Sequence, residues 1–141
     1  MNNEQKNINI EVKENSVAIV GWHDGGAGRV STWLEETHDY YISCFINPTD
    51  NLLKINPEKI KRDVSQFSYP TNNEFKNKPL INTSNWAEYL KEIGIGKVLV
   101  TTDDPKKRYE EICYAKENNL ELINAIHPTA YLMKDVLIKE N

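Results

Sequence analysis

Residues 16–21 read SVAIVG, an unbroken apolar run that ends in glycine. A segment apolar at every position suits a strand covered on both faces, as in a parallel sheet. Upstream, Ile8, Ile10 and Val12 alternate with polar neighbours, which predicts a short edge strand or an ordered arm over residues 1–15. Downstream, Val30, Trp33, Leu34 and Thr37 recur at helical spacing, so a helix is expected from Ala27 to about Thr37. Residues 40–46 (YYISCFI) are aromatic and β-branched and predict a second strand, stopping at Asn47-Pro48. Residues 49–79 carry Pro57, Pro70 and Pro79 and hold no sustained period. They predict an irregular stretch with a short helix near residues 58–64 and a short strand near residues 66–69.

Regularity returns after Ser84. Trp86, Tyr89, Leu90 and Ile93 fall at i, i+3, i+4 and i+7, with Ser84 or Asn85 as the cap and Gly94 as the terminating glycine. Residues 97–102 (KVLVTT) predict another strand. Asp103-Asp104-Pro105 then supplies a carboxylate cap followed by proline at the first helical position. That helix is expected to run to about Asn119 with Tyr109, Ile112 and Cys113 inward, and residues 120–126 (LELINAI) predict a last strand. Strands alternating with helices imply an α/β fold with a doubly wound, mostly parallel sheet in a single three-layer domain. Ligands of such sheets bind beyond the carboxyl ends of the strands. Three loops are expected to converge there: residues 21–28, 47–50 and 102–104.

Composition changes this picture little. The 141 residues suit one domain, and 39% hydrophobic with 27% charged is an ordinary balance. A formal charge of -4, with only short Lys/Arg clusters at residues 59–62 and 106–108, points away from nucleic acid and reads as solvated helix faces. No stretch approaches the length of a membrane span, and residues 1–13 are too polar for a signal peptide. Cys44 and Cys113 stand far apart without metal-ligand spacing, so reduced core thiols, a cytoplasmic setting and no metal site are expected.

The candidate chemistry is concentrated in one loop. Residues 21–28 (GWHDGGAG) hold four of the six glycines. Glycine allows positive φ and close approach of a ligand to backbone N–H groups, and the following helix directs its amino terminus at an anion. A phosphate or diphosphate is the natural guest. The loop lacks the dinucleotide spacing GxGxxG and the P-loop GK[ST], and Asn47 stands where an acid would bind the ribose of NAD.

The run VAIVG, then GGAGRV at residues 25–30, resembles the opening of the amino-terminal Rossmann-like domain of bacterial sugar acyltransferases. These are the sialic-acid O-acetyltransferase and UDP-amino-sugar N-acetyltransferase type, in which a strand precedes GxGGHGRV. Residues 44–48 (CFINP) resemble that family's second strand, usually ending GFLDD, and residues 97–104 its later strand and turn. Residues 125–131 (AIHPTAY) resemble its LIHPSA junction. The resemblance implies a nucleotide-sugar-binding domain over residues 16–127 and the start of a hexapeptide-repeat β-helix over residues 128–141, with Ala130 and Val136 six apart. It implies a nucleotide-sugar ligand, with a UDP-amino-sugar as first choice, in surface-polysaccharide or glycan biosynthesis. The site residues it implies, together with the loop chemistry, are Gly21, His23, Gly25, Gly26, Ala27, Gly28, Asn47, Thr102 and Asp103. Acetyl-CoA and the catalytic histidine belong to the family's β-helix, so no cofactor and no catalytic residue are assigned within these residues. The family trimerises through that β-helix, so a monomer or weak dimer is expected here. Two extra residues within Trp22-His23-Asp24, Ala27 in place of the loop histidine, and Asn47-Pro48 in place of the acidic pair leave the base and sugar open.

Single residues allow competing roles. Trp22 could stack on a base or simply be a half-buried aromatic, and His23 could touch phosphate or face solvent. His127 reads as structural, His38 as a helix-end cation, Asp104 as a cap and Asp103 as the acid facing the ligand. At the level of the whole chain, a substrate-binding domain of an acetyltransferase competes with an enzyme complete in itself. It also competes with a regulatory or assembly domain that kept the fold and lost the site.

Overall fold

Each residue of β1 (Ser16–Val20) is buried, as its unbroken apolar run requires. The computed structural model describes residues 9–22, 27–51, 73–127, 129–130 and 138, and places β1 inside a six-stranded sheet. The other strands are β2 (Tyr41–Asn47), β3 (Glu74–Phe75), β4 (Lys78–Asn82), β5 (Lys97–Val100) and β6 (Glu121–Leu122). Their order is β3-β4-β2-β1-β5-β6. Every neighbouring pair is parallel except β3 with β4. Four helices are described: α1 (Arg29–Ser31), α2 (Leu34–His38), α3 (Trp86–Ile93) and α4 (Pro105–Glu117).

The two-residue period of a strand splits β1 between two cores. Ala18 and Val20 join Cys44, Ile46 and Val98 beneath Trp86 and Leu90 of α3 and Ala115 of α4. Val17 and Ile19 join Phe45, Leu80 and Leu99 against Leu34 of α2, on the opposite face. Each such side chain contributes roughly 1.5–3 kcal/mol by burial, so the sheet is held from both sides. From β1 the chain passes to β2 and β4 on one flank, and later returns to β5 and β6 on the other. The helices after β1 and after β5 therefore leave the sheet on opposite faces. That divergence opens a crevice at the carboxyl ends of β1 and β5.

The α/β, doubly wound, mostly parallel architecture expected from the sequence is the one observed. Several local expectations change. The helix expected over residues 27–37 is broken at Thr32-Trp33. There the hydroxyls of Ser31, Thr32 and Thr37 bond the carbonyls of Gly28, Arg29 and Trp33, competing with a continuous backbone ladder. β3 and β4 lie partly within the stretch expected to be irregular. Pro79 hid β4, yet it sits on a short hairpin whose turn, Lys76-Asn77, has positive φ at both residues. Tyr109 is 68% exposed, because α4 turns Ile112, Tyr114 and Ala115 to the sheet instead. The last strand is only two residues long, and residues 9–13 run beside the sheet as an arm with Ile10 against the core. Asn85 stands at the α3 cap position without a side-chain capping bond, while Gly94 terminates the helix at φ +92° as expected. The helix and strand expected near residues 58–69, and nearly all of residues 128–141, lie outside the described residues.

His38 has a fuller role than a helix-end cation. Thr37 gives its hydroxyl proton to the Trp33 carbonyl, so the His38 ring donates from Nδ1 to Thr37 at 2.7 Å. Its Nε2 then accepts the Ile126 N–H at 3.3 Å. A neutral ring fits both contacts, and it ties the segment after β6 back to α2. His127 stacks edge-on against Trp33 at 5.2 Å, in keeping with a structural part.

The two cysteines are free and differ in access. Burial pushes the Cys44 thiol up to about 12, whereas Cys113 is only half-buried. The thiolate is the reactive form. A thiol-reactive chromophore is therefore expected to label Cys113 in the folded protein and Cys44 only as the chain unfolds. Stopped-flow absorbance checks this, and two equally fast labelling events would contradict it.

Candidate functional site

Gly21 ends β1 at the crevice. Its N–H donates to the Ile46 carbonyl at 2.8 Å, so the turn begins while the chain is still paired to β2. Its φ of +129° lies where side-chain-bearing residues are strained, and a Cβ there would stand 2.3 Å from Thr101 Oγ1. Thr101 cannot give way freely, because its N–H and its hydroxyl both bond the Val20 carbonyl, each at 2.9 Å. The tight approach of β1 and β5 thus dictates glycine at position 21.

Around that turn the expected residues separate into two groups. Gly21, Asn47, Thr102 and Asp103 line one cleft of about 310 Å³, together with Trp22, Pro48, Thr101, Lys107 and Glu111. Ala27 is fully buried among Val17, Ile19 and Leu34, and Gly28 is buried at the start of α1. His23, Gly25 and Gly26 lie outside the described residues. A second cleft of about 410 Å³ adjoins the first and shares Asn47, Pro48, Lys107 and Glu111 with it. Both volumes fall in the range of small-ligand sites, roughly 300–1,000 Å³.

The side chains at this edge are largely bound to one another. Trp22 Nε1–H donates to Asn47 Oδ1 at 3.3 Å, and Asn47 Nδ2 donates to Asn82 Oδ1 at 2.7 Å. The Asn47 carbonyl meanwhile accepts from the N–H groups of Thr49 and Thr83. Trp22 is therefore half-buried and hydrogen-bonded across the crevice floor. Thr102 gives its hydroxyl to Glu111 Oε2 at 2.5 Å. Burial raises the pKa of Glu111, Glu110 and Asp104 add to the rise, and the Thr102 bond and Lys107 oppose it.

Helix amino termini attract anions, but two of those here already hold a carboxylate of the chain itself. Asp104 accepts the Lys106 N–H at 3.0 Å and caps α4. Asp50 accepts the Ser84 N–H at 3.0 Å and the Ser84 hydroxyl at 2.7 Å, just before α3. Those two bonds hold the Asp50 carboxyl below its usual range. An incoming anion is repelled at α3 and α4.

Reading the sequence missed Lys107 and Glu111. Lys107 belonged to a cluster read as a solvated helix face and Glu111 was not singled out, yet Lys107, Glu111 and Tyr114 stand at i, i+4 and i+7 on the side of α4 that walls the larger cleft. The signal was present as a period, but its members are polar.

No helix among the described residues is long and apolar enough to cross a membrane. No protein-family model and no curated protein sequence matches the chain. Solved structures do match: the perosamine N-acetyltransferase of Caulobacter crescentus in complex with CoA and GDP-perosamine, and two point variants of it with the same ligands. Each superposes with a TM-score of 0.59 at 16–17% identity, over 86% of this chain. The chain spans just under half the length of those proteins, matching 46% of each. It has the fold of that portion of a sugar N-acetyltransferase, the class of protein that its motifs resemble.

Proposed function

We propose that this domain binds a nucleotide-linked sugar, with the diphosphate on the glycine loop and the rest of the ligand along the crevice. One observation carries the reading: Gly21 is forced by the approach of Thr101 at the sheet's switch point, and the cleft it opens on has a cation, Lys107, on its wall. The acids at α3 and α4 repel a diphosphate from those two helix ends. The solved proteins of this fold hold GDP-perosamine, and the motifs resemble UDP-amino-sugar enzymes, so an amino sugar on a nucleoside diphosphate is the substrate class. Acetyl transfer from acetyl-CoA would fall to a β-helix of the kind that follows the junction residues 125–131 resemble, in a sugar-modifying step of glycan biosynthesis.

Titration calorimetry with UDP- and GDP-linked amino sugars tests the reading. Binding is expected, and Gly26→Val is expected to weaken it at least tenfold, about 1.4 kcal/mol, by filling the loop with a side chain. No binding of either ligand at millimolar concentration would overturn the proposal.

A further inference from the structure

We propose that the larger cleft, between α3 and α4, receives the nucleobase, and that Glu111 makes the domain selective for guanine. This rests on the nucleotide-sugar reading and goes beyond it by assigning the base and its reader.

Several polar side chains of the cleft already have partners within the protein. Asn47 has its amide oxygen on Trp22 and its amide nitrogen on Asn82, so both ends of the amide are already engaged and its orientation is fixed. Ser84 gives its hydroxyl to Asp50, and Thr49 accepts the Asn51 N–H. Thr102, on the adjoining wall, gives its hydroxyl to Glu111. That bond reaches only Oε2, and among the described residues Oε1 of Glu111 has no hydrogen bond. A carboxylate accepts at about four lone-pair sites and donates at none. Glu111 is thus a half-buried acceptor, held in one orientation by Thr102, on the wall of a cleft of about 410 Å³. Tyr114, with the buried Trp86 ring edge-on against it at 5.0 Å, supplies the aromatic part of the cleft wall.

Such a site selects a ligand edge with adjacent N–H donors. Guanine offers N1–H and N2–H side by side, a match for both carboxylate oxygens. Uracil offers one N–H between two carbonyls, which a carboxylate repels. Cytosine and adenine each place one amino group beside a bare ring nitrogen. Charge-assisted, paired hydrogen bonds are the strong ones, and a site built around them rejects a ligand that leaves them unmade. Lys107 lines both clefts, one turn of α4 from Glu111, and is the cation placed between base and diphosphate.

The test is calorimetric titration of the 141-residue chain with GDP, UDP, CDP and ADP, repeated with Glu111→Gln and with Thr102→Val. GDP is expected to bind at least tenfold more tightly than the others. Glu111→Gln is expected to shrink that preference below about threefold, since an amide presents one donor and one acceptor. Thr102→Val, which removes only the orienting bond, should give an intermediate loss. GDP affinity of the native chain should also fall more steeply between pH 7 and pH 5 than that of Glu111→Gln, in which the carboxylate is gone and only the nucleotide's own terminal phosphate, with a pKa of about 6, still titrates. Lys107 resists protonation of Glu111, and Glu110 and Asp104 favour it. A merely structural glutamate would move neither the base preference nor the pH profile. Equal binding of GDP and UDP by the native chain would overturn the inference and leave nucleotide-sugar binding standing. Loss confined to amino-sugar conjugates, with free GDP unaffected by Glu111→Gln, would move Glu111 to the sugar amine and likewise overturn it. No binding of any nucleoside diphosphate would overturn both.

Discussion

Gly21→Ala is expected to cost about 3 kcal/mol of stability, and to lower the melting temperature by about 10 °C for a domain of this size. Two contributions add. Holding a side-chain-bearing residue at φ +129° costs roughly 1–3 kcal/mol. The new Cβ also stands 2.3 Å from Thr101 Oγ1, which must swing away from the Val20 carbonyl and forfeit a bond of about 1 kcal/mol. A double-mutant cycle separates them. In a Thr101→Ala background the oxygen is gone, so Gly21→Ala should cost about 1 kcal/mol less and the remainder is backbone strain. Urea denaturation of the four proteins measures this. A Gly21→Ala variant as stable as the parent would mean that β1 and β5 do not close on each other as described. Ligand affinity should fall along with stability, because the same approach of strands shapes the mouth of the smaller cleft.

The features legible in the sequence share one property: their cause is local. The run at Val17–Val20, the Asp104-Pro105 start of α4 and the glycine stop at Gly94 each announce themselves within a few residues, and each is observed. What was not legible depends on partners far along the chain. β4 became a strand because β2 needed a neighbour for Phe45, Ile46 and Asn47, and Pro79 could be tolerated on its short hairpin side. Tyr109 was assigned to the core by its apolar ring. The phase of α4 is set instead by Ala115, the buried small residue that lets the helix approach the sheet. The site divided in the same way. Gly21, Asn47, Thr102 and Asp103 were found from strand ends, which topology brings together. Glu111 and Lys107 line the clefts from the second and first turns of a helix. Nothing in their own neighbourhood distinguishes them from surface charge until Thr102 and the cleft are in view.

Asn47→Asp is expected to cost about 3 kcal/mol at neutral pH, despite changing one atom. Asn47 is 6% exposed, and its amide nitrogen donates to Asn82, which is itself fully buried and has a further partner of its own. A carboxylate keeps the bond from Trp22 but turns a second acceptor on Asn82 Oδ1, and its charge is buried among dipoles oriented for an amide. Protonation repairs the defect, because a neutral carboxyl can donate to Asn82. The folded-state pKa of the new acid is therefore raised above its ordinary value of about 3.9, by about 2 units for 3 kcal/mol. A raised acid favours the folded state below its unfolded pKa, and loses that advantage as pH rises through the folded one. The deficit relative to the parent should thus be full at pH 7 and shrink between about pH 6 and pH 4. Asn47→Ala, which cannot titrate, should be destabilised without that pH dependence. Denaturant titrations at the two pH values decide the matter. An Asn47→Asp protein as stable as its parent at pH 7 would mean that this side chain is free to turn into the cleft. It would then stand available to a ligand where the resembled family carries its acidic pair, and the task assigned to Glu111 would have a rival on β2.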